Sequence, residues 1–131
     1  MEGSNDLLSP SGADPAIAAL DAMVSTALAQ GRRVVLATIP PQRSGGLANR
    51  GAVAARIPGF NDRIRALATS RQVVLCDVYN ALQNNIQQYI GVDDLHPTVA
   101  GYQVVGDTFY NAVRNAFEQS ATAQRTTQSS W

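Results

Sequence analysis

Arg33-Val34-Val35-Leu36-Ala37-Thr38-Ile39 is a β-branched, apolar run that meets no polar residue from Val34 to Ala37, and Pro40-Pro41 closes it. A run without polar alternation is the pattern of a strand covered on both faces. Residues 72–77 (QVVLCD) repeat the pattern, ending in Asp77. Upstream, Asp14-Pro15 reads as a helix start, with Asp14 as N-cap and Pro15 at the first helical position, where a missing N–H is harmless. Ile17, Leu20, Val24, Ala27 and Leu28 then share one face and Gly31 supplies the stop, so a helix is predicted over 15–30. Between the two strand-like runs lies a polar, glycine-rich excursion over 42–51. Val53, Ile57, Phe60, Ile64 and Leu67 follow at helical spacing, with a break expected at Pro58-Gly59 and a restart near Asn61.

Beyond Asp77, residues 78–90 stay ambiguous: Leu82, Ile86 and Ile90 suit a helix, while Gln and Asn dominate the other side. From Thr98 onward, Tyr102, Val105, Phe109, Val113 and Phe117 form an amphipathic stripe that predicts one more helix. Helix, strand, helix, strand, helix implies parallel strands joined by a right-handed crossover. A parallel sheet of two strands cannot hide its own faces and edges. The expectation is therefore a sheet completed by a second chain.

The 131 residues fit one domain, assigned to 1–119, with the polar, aperiodic 120–131 expected to be a mobile tail. Ten basic residues balance ten acidic ones and only 15% of the chain is charged, so no long-range field would draw in nucleic acid. Although 45% of the residues are hydrophobic, no apolar run approaches the ~18 residues of a membrane span. Cys76 is alone, which excludes an internal disulfide and a cysteine-based zinc site. Residues 1–5 hold no basic or apolar leader, and localisation stays open.

Chemistry concentrates in Asp93-Asp94-Leu95-His96-Pro97, which contains the single histidine. An imidazole that exchanges protons near neutral pH works best when a carboxylate holds its other ring nitrogen, and Asp93 is placed to do so. The alternative is a surface histidine that hydrogen-bonds its neighbours. Asp94 reads as a solvated residue or one that closes the turn, and the four tyrosines as packing residues. A divalent metal on Asp93, Asp94 and His96 is disfavoured for want of a distant fourth ligand.

With Gly3-x-Asn5-Asp6 at one end and Asp93-x-x-His96-Pro97 at the other, separated by helix, strand, helix and strand, the chain resembles the SGNH hydrolases, the GDSL-type esterases and lipases, over residues 3–119. The resemblance implies an α/β, flavodoxin-like three-layer fold. It would be truncated here to about two parallel strands and three to four helices per chain, because the family's first three strands have no counterpart. It also implies roles: His96 the general base, Asp93 its orienting acid, Asn5 the oxyanion donor, and Gly3 the residue allowing close backbone approach. The family's Gly-Asp-Ser nucleophile block is absent. Ser4 and Ser44 are the candidate surrogates, while Cys76 reads as a buried structural residue. The implied function is serine ester hydrolysis without a cofactor, on a small ester, by a homodimer or a chain completed by another polypeptide. The alternative is an inactive SGNH remnant serving as a binding or assembly module.

Overall fold

The computed structural model describes residues 3–118, so the expected tail over 120–131 lies outside the described residues. The chain opens with a 3-10 turn, Asp6–Leu8, and enters α1, Ala13–Ala29. The N-cap is Gly12 rather than Asp14, which sits inside the first turn and makes no capping bond. The cause is steric. A Cβ on Gly12 would lie 1.8 Å from the Asp6 carbonyl oxygen, so only glycine lets the 3-10 turn pack against the start of α1. Asp14 instead accepts an ion pair from Arg63 at 2.7 Å. At the other end, Gly31 adopts φ +69° and the N–H of Arg32 reaches back to Ala27, a left-handed helix stop.

Strands β1, Val35–Ala37, and β2, Val74–Cys76, pair in parallel with Val35 opposite Val74 and Ala37 opposite Cys76. Alternation along each strand splits the interior in two. Leu36 and its partner Leu75 join a core with Val24 of α1 and with Phe60, Ile64 and Leu67. Ala37 and Cys76 turn the opposite way, onto Leu82 and Ile90 and the partly buried Val105 and Phe109. The result is an α/β/α layering, as the sequence predicts.

The helix count exceeds the expected three to four. Between the strands come a single turn, α2 (Gly51–Ala54), and the long α3 (Ile57–Arg71). The break therefore falls at Ala55-Arg56, before the predicted site, because Pro58 is accommodated in the first turn of α3. Residues 78–90 divide into α4, Val78–Gln83, and α5, Ile86–Tyr89. The last α-helix, α6, spans Val99–Val113 and is capped by Thr98, whose hydroxyl accepts the Gly101 N–H at 3.1 Å. Its inward face is Val104, Val105, Phe109 and Ala112, while Tyr102 and Val113 are exposed, so the stripe is rotated from the predicted one. Gly101 sets that rotation: a Cβ there would stand 2.1 Å from the Tyr89 carbonyl oxygen, so α6 rests directly on the end of α5.

Two polar groups finish β1. The buried Asn61 of α3 donates to the Ile39 carbonyl at 3.0 Å and accepts from the Ile39 N–H at 2.9 Å, standing in for a neighbouring strand. The buried Thr38 donates its hydroxyl to Asp77 at 3.0 Å and accepts the Tyr79 N–H at 2.9 Å, tying the ends of both strands together. Burial pushes the Asp77 carboxyl up, but a two-point bond from Arg65, the Asn80 N–H and the Thr38 hydroxyl together hold it below the usual carboxylate range. The outer edge of β1 pairs with no strand among the described residues. A cavity of about 310 Å³ runs along it, lined by Leu20, Met23, Val24 and Ala27 of α1 and by residues 34–37. Met23 is 61% exposed there, so the strand that reads as fully covered is open on one edge.

Replacing Asn61 with Ala strands both the N–H and the C=O of Ile39 in a buried position, and the expected loss is about 2–4 kcal/mol. Urea unfolding of Asn61→Ala against the parent chain measures it.

Candidate active site

Residues 3–8 wrap tightly enough to aim a side chain. Gly3 is buried at φ +111°, and a Cβ on it would lie 2.7 Å from Cε1 of Phe60. The close approach that this glycine permits is thus to the Phe60 ring. Arg56 donates to the Leu7 carbonyl at 2.7 Å and fixes the turn from the far side. Asn5 begins the 3-10 turn, yet its side chain makes no capping bond and it is exposed, so its amide is available to another molecule.

Residues 91–97 form a closed loop. The Gly91 N–H donates to the His96 carbonyl at 2.8 Å, Ile90 bridges Pro97, and the Thr98 N–H donates to Tyr89 at 2.8 Å. Within it Asp93 takes three bonds: Oδ1 accepts the N–H groups of Leu95 at 3.1 Å and His96 at 3.0 Å, while Oδ2 meets His96 Nδ1 at 2.6 Å. The bond from the His96 ring, followed by the two backbone N–H groups, brings the Asp93 carboxyl down to about 2. With Nδ1 engaged, Nε2 is the ring nitrogen left to face a reacting group. The His96 side chain is 67% exposed among the described residues, so the ring is open to a substrate.

The turn at Ser4-Asn5 and the segment 95–102 meet at one cleft of about 250 Å³, lined by Ser4, Asn5, Pro40, Gln42, Leu95, His96, Pro97 and Tyr102. Of the two candidate serines, Ser4 lines this cleft with His96, whereas Ser44 is exposed and packs beside Gly51. Cys76 is buried behind the sheet, and burial followed by the charge of Asp77 pushes its thiol up to about 11, which suits a structural residue. Asp94 is not solvated: it is fully buried at φ +66° and points away from the pair. Among the described residues no three His, Cys, Asp or Glu side chains converge as metal ligands.

Three wall residues escape a reading of the sequence. Tyr102 looks like a packing residue but is 56% exposed at the mouth of the cleft. Pro40 ends a strand, and in doing so hands the chain to Gln42. Gln42 sits in a polar excursion yet is only 5% exposed; Arg50 donates to its Oε1 at 3.4 Å, and its Nε2 has no partner among the described residues. A polar residue after a strand-ending Pro40-Pro41 was the available signal, because the carboxyl ends of parallel strands are where such folds bind ligands.

Residues 1–104 match the family model of the GDSL-like lipases and acylhydrolases. The fold is similar to that of a GDSL-like lipase from Bacteroides thetaiotaomicron, with a TM-score of 0.74 at 24% identity over 88% of this chain and 60% of that one. A candidate acylhydrolase of Bacteroides fragilis gives 0.71 at 25% identity over 86% and 58%. An alpha/beta hydrolase from the metagenome of Lake Arreo, Spain, gives 0.63 at 24% identity over 84% and 56%. The chain thus spans less than two thirds of the length of each of these structures. No curated protein sequence matches it. Among the described residues no helix is long and apolar enough to cross a membrane.

Because the folded Asp93 carboxyl titrates below its unfolded value, the contribution of its ionised form to stability is complete above about pH 4 and is lost as pH falls through about 2. His96→Ala removes the largest cause of that depression and leaves the two backbone bonds. Its Asp93 midpoint is expected between about 2 and the ordinary 3.8, read by carbon-13 titration of the side-chain carboxyl.

Proposed function

The chain belongs to the GDSL-like lipase/acylhydrolase family, and from that membership we propose that it hydrolyses small carboxylic esters through a covalent acyl intermediate. The supporting observation is the single cleft that Asn5 shares with the Asp93-held His96. A serine hydroxyl attacks the ester carbonyl while His96 Nε2 takes its proton, and the Asn5 amide donates to the oxygen that becomes negative. The alcohol departs with the proton from His96. Water, deprotonated by the same nitrogen, then releases the acid and restores the serine. Asp93 keeps the imidazole in one tautomer throughout. Ser4, which shares the cleft, is the residue proposed to attack, ahead of the exposed Ser44.

A cleft of about 250 Å³ with five polar side chains suits short acyl, aryl or carbohydrate esters better than long acyl chains. Purified protein is expected to hydrolyse p-nitrophenyl acetate and butyrate. His96→Ala should lower kcat/KM roughly a thousandfold, and Asn5→Ala about a hundredfold, through kcat. A fluorophosphonate should label Ser4, located by peptide mapping. Parent and His96→Ala rates that both equal the buffer blank, with no labelling, would replace this proposal by its rival, an inactive family member serving as a binding module.

We also propose that two copies pair along β1. The support is the unpaired edge of Val35–Ala37 beside an apolar groove, since an open strand edge of this kind seeks a partner strand. Light scattering at micromolar concentration should give twice the chain mass. Met23→Glu, which puts a charge into the groove, should give the monomer mass.

A further inference from the structure

Asp94 lies one residue from the acid of the pair but faces the opposite way. Its side chain is wholly buried, and its backbone is left-handed at φ +66°, a conformation that Asp and Asn adopt more readily than other non-glycine residues. The surroundings here are the loop over 42–50. Asp94 Oδ2 accepts the Ala48 N–H at 3.1 Å, and the Asp94 carbonyl accepts the Arg43 N–H at 3.1 Å. Val92 accepts the Leu47 N–H at 3.1 Å, and the Arg43 guanidinium reaches the Gly91 carbonyl at 3.4 Å. Gly46 closes over the other carboxylate oxygen, where a Cβ would stand 1.6 Å from Asp94 Oδ1. That oxygen has no hydrogen-bond partner among the described residues. A buried carboxylate oxygen without a partner is costly, so the carboxylate is held here by the loop closing around it.

These bonds join two segments that line the cleft. The loop over 42–50 carries Gln42, and the loop over 91–97 carries Asp93, Leu95, His96 and Pro97. We infer that Asp94 is the positioning residue of this site: its inward carboxylate clamps the Gln42 loop onto the Asp93–His96 loop, so that the substrate wall and the proton-transferring pair hold one geometry. The importance of that geometry to catalysis rests on the function proposed above; the clamp itself does not.

The measurement is chosen to be independent of turnover. Asp93 owes its low midpoint to three bonds made inside the clamped loop, so its titration reports whether that loop keeps its shape. Asp94→Ala removes the clamp. Gly46→Ala presses on the same carboxylate from the opposing loop, where the added methyl must displace the buried side chain or the loop itself, and its cooperative thermal unfolding is measured before its titration is read. Both are expected to raise the Asp93 midpoint by about one unit. Removing a neighbouring carboxyl group cannot by itself raise the Asp93 midpoint, so a rise in Asp94→Ala reports loosening. Asp94→Asn keeps an oxygen for Ala48 and tolerates the left-handed backbone, and should stay at or slightly below the parent. Gly45→Ala faces open space and should match the parent.

The inference is overturned if Gly46→Ala leaves the midpoint where the parent has it, or if Gly45→Ala moves it as far. Gly46→Ala decides the matter should Asp94→Ala fail to fold. Ester hydrolysis is assayed on the same samples. A parent that titrates as expected but turns over no ester removes the proposed activity and leaves the clamp standing.

Discussion

The parallel pairing of β1 with β2 governs this molecule. Two strands that run the same way deliver their carboxyl ends to the same side, and there the chain must turn out of the sheet twice within a few ångströms. Thr38 and Asp77 manage that crowding by bonding each other, with Arg65 neutralising the carboxylate. Asn61 covers the peptide of Ile39 that no strand covers. Above this reinforced rim stand Pro40 and Gln42 from one strand and, after two short helices, the Asp93–His96 loop from the other. The turn of Gly3, Ser4 and Asn5 arrives beside them because Phe60, in the same α3 as Asn61, fills the space that Gly3 leaves empty.

This arrangement sets which parts of the site are rigid. The Asp93–His96 pair is exposed, and an exposed ion pair by itself is worth little. Its order comes from the loop, where two backbone N–H groups converge on one oxygen of Asp93 while the other holds the ring. The opposite edge of the sheet has no such reinforcement. There α1 and β1 leave Met23 and Leu20 facing an open groove, so the described residues present a polar, braced end and an apolar side that none of them covers.

The framework was readable because it is written in local patterns. β-branched runs gave both strands, and glycine gave the end of α1. Asp93-x-x-His96 was legible because three-residue spacing in a loop suffices for contact. What escaped depends on residues distant in sequence. Nothing near Asp94 announces that Ala48 and Gly46 will close over it, and its neighbour Asp93, of the same residue type, does the opposite job. Gln42 is buried only because two loops meet. The N-cap fell on Gly12 rather than Asp14 because packing against Asp6 overrode the usual preference for a capping carboxylate. The α6 stripe was rotated for a like reason, since contact with the Tyr89 carbonyl outweighed the apolar moment of the helix.

Cys76 ends β2 with its sulfur buried between the sheet and α6, and burial pushes its thiol up to about 11. A thiol reagent needs both access and the thiolate, and the folded chain denies it both at neutral pH. Since the chain has no other sulfhydryl, the rate at which this sulfur is modified reports the opening of the core in which it is buried. The molecule thus carries its own clock for the opening of its second core, read at one sulfur without any substrate or partner.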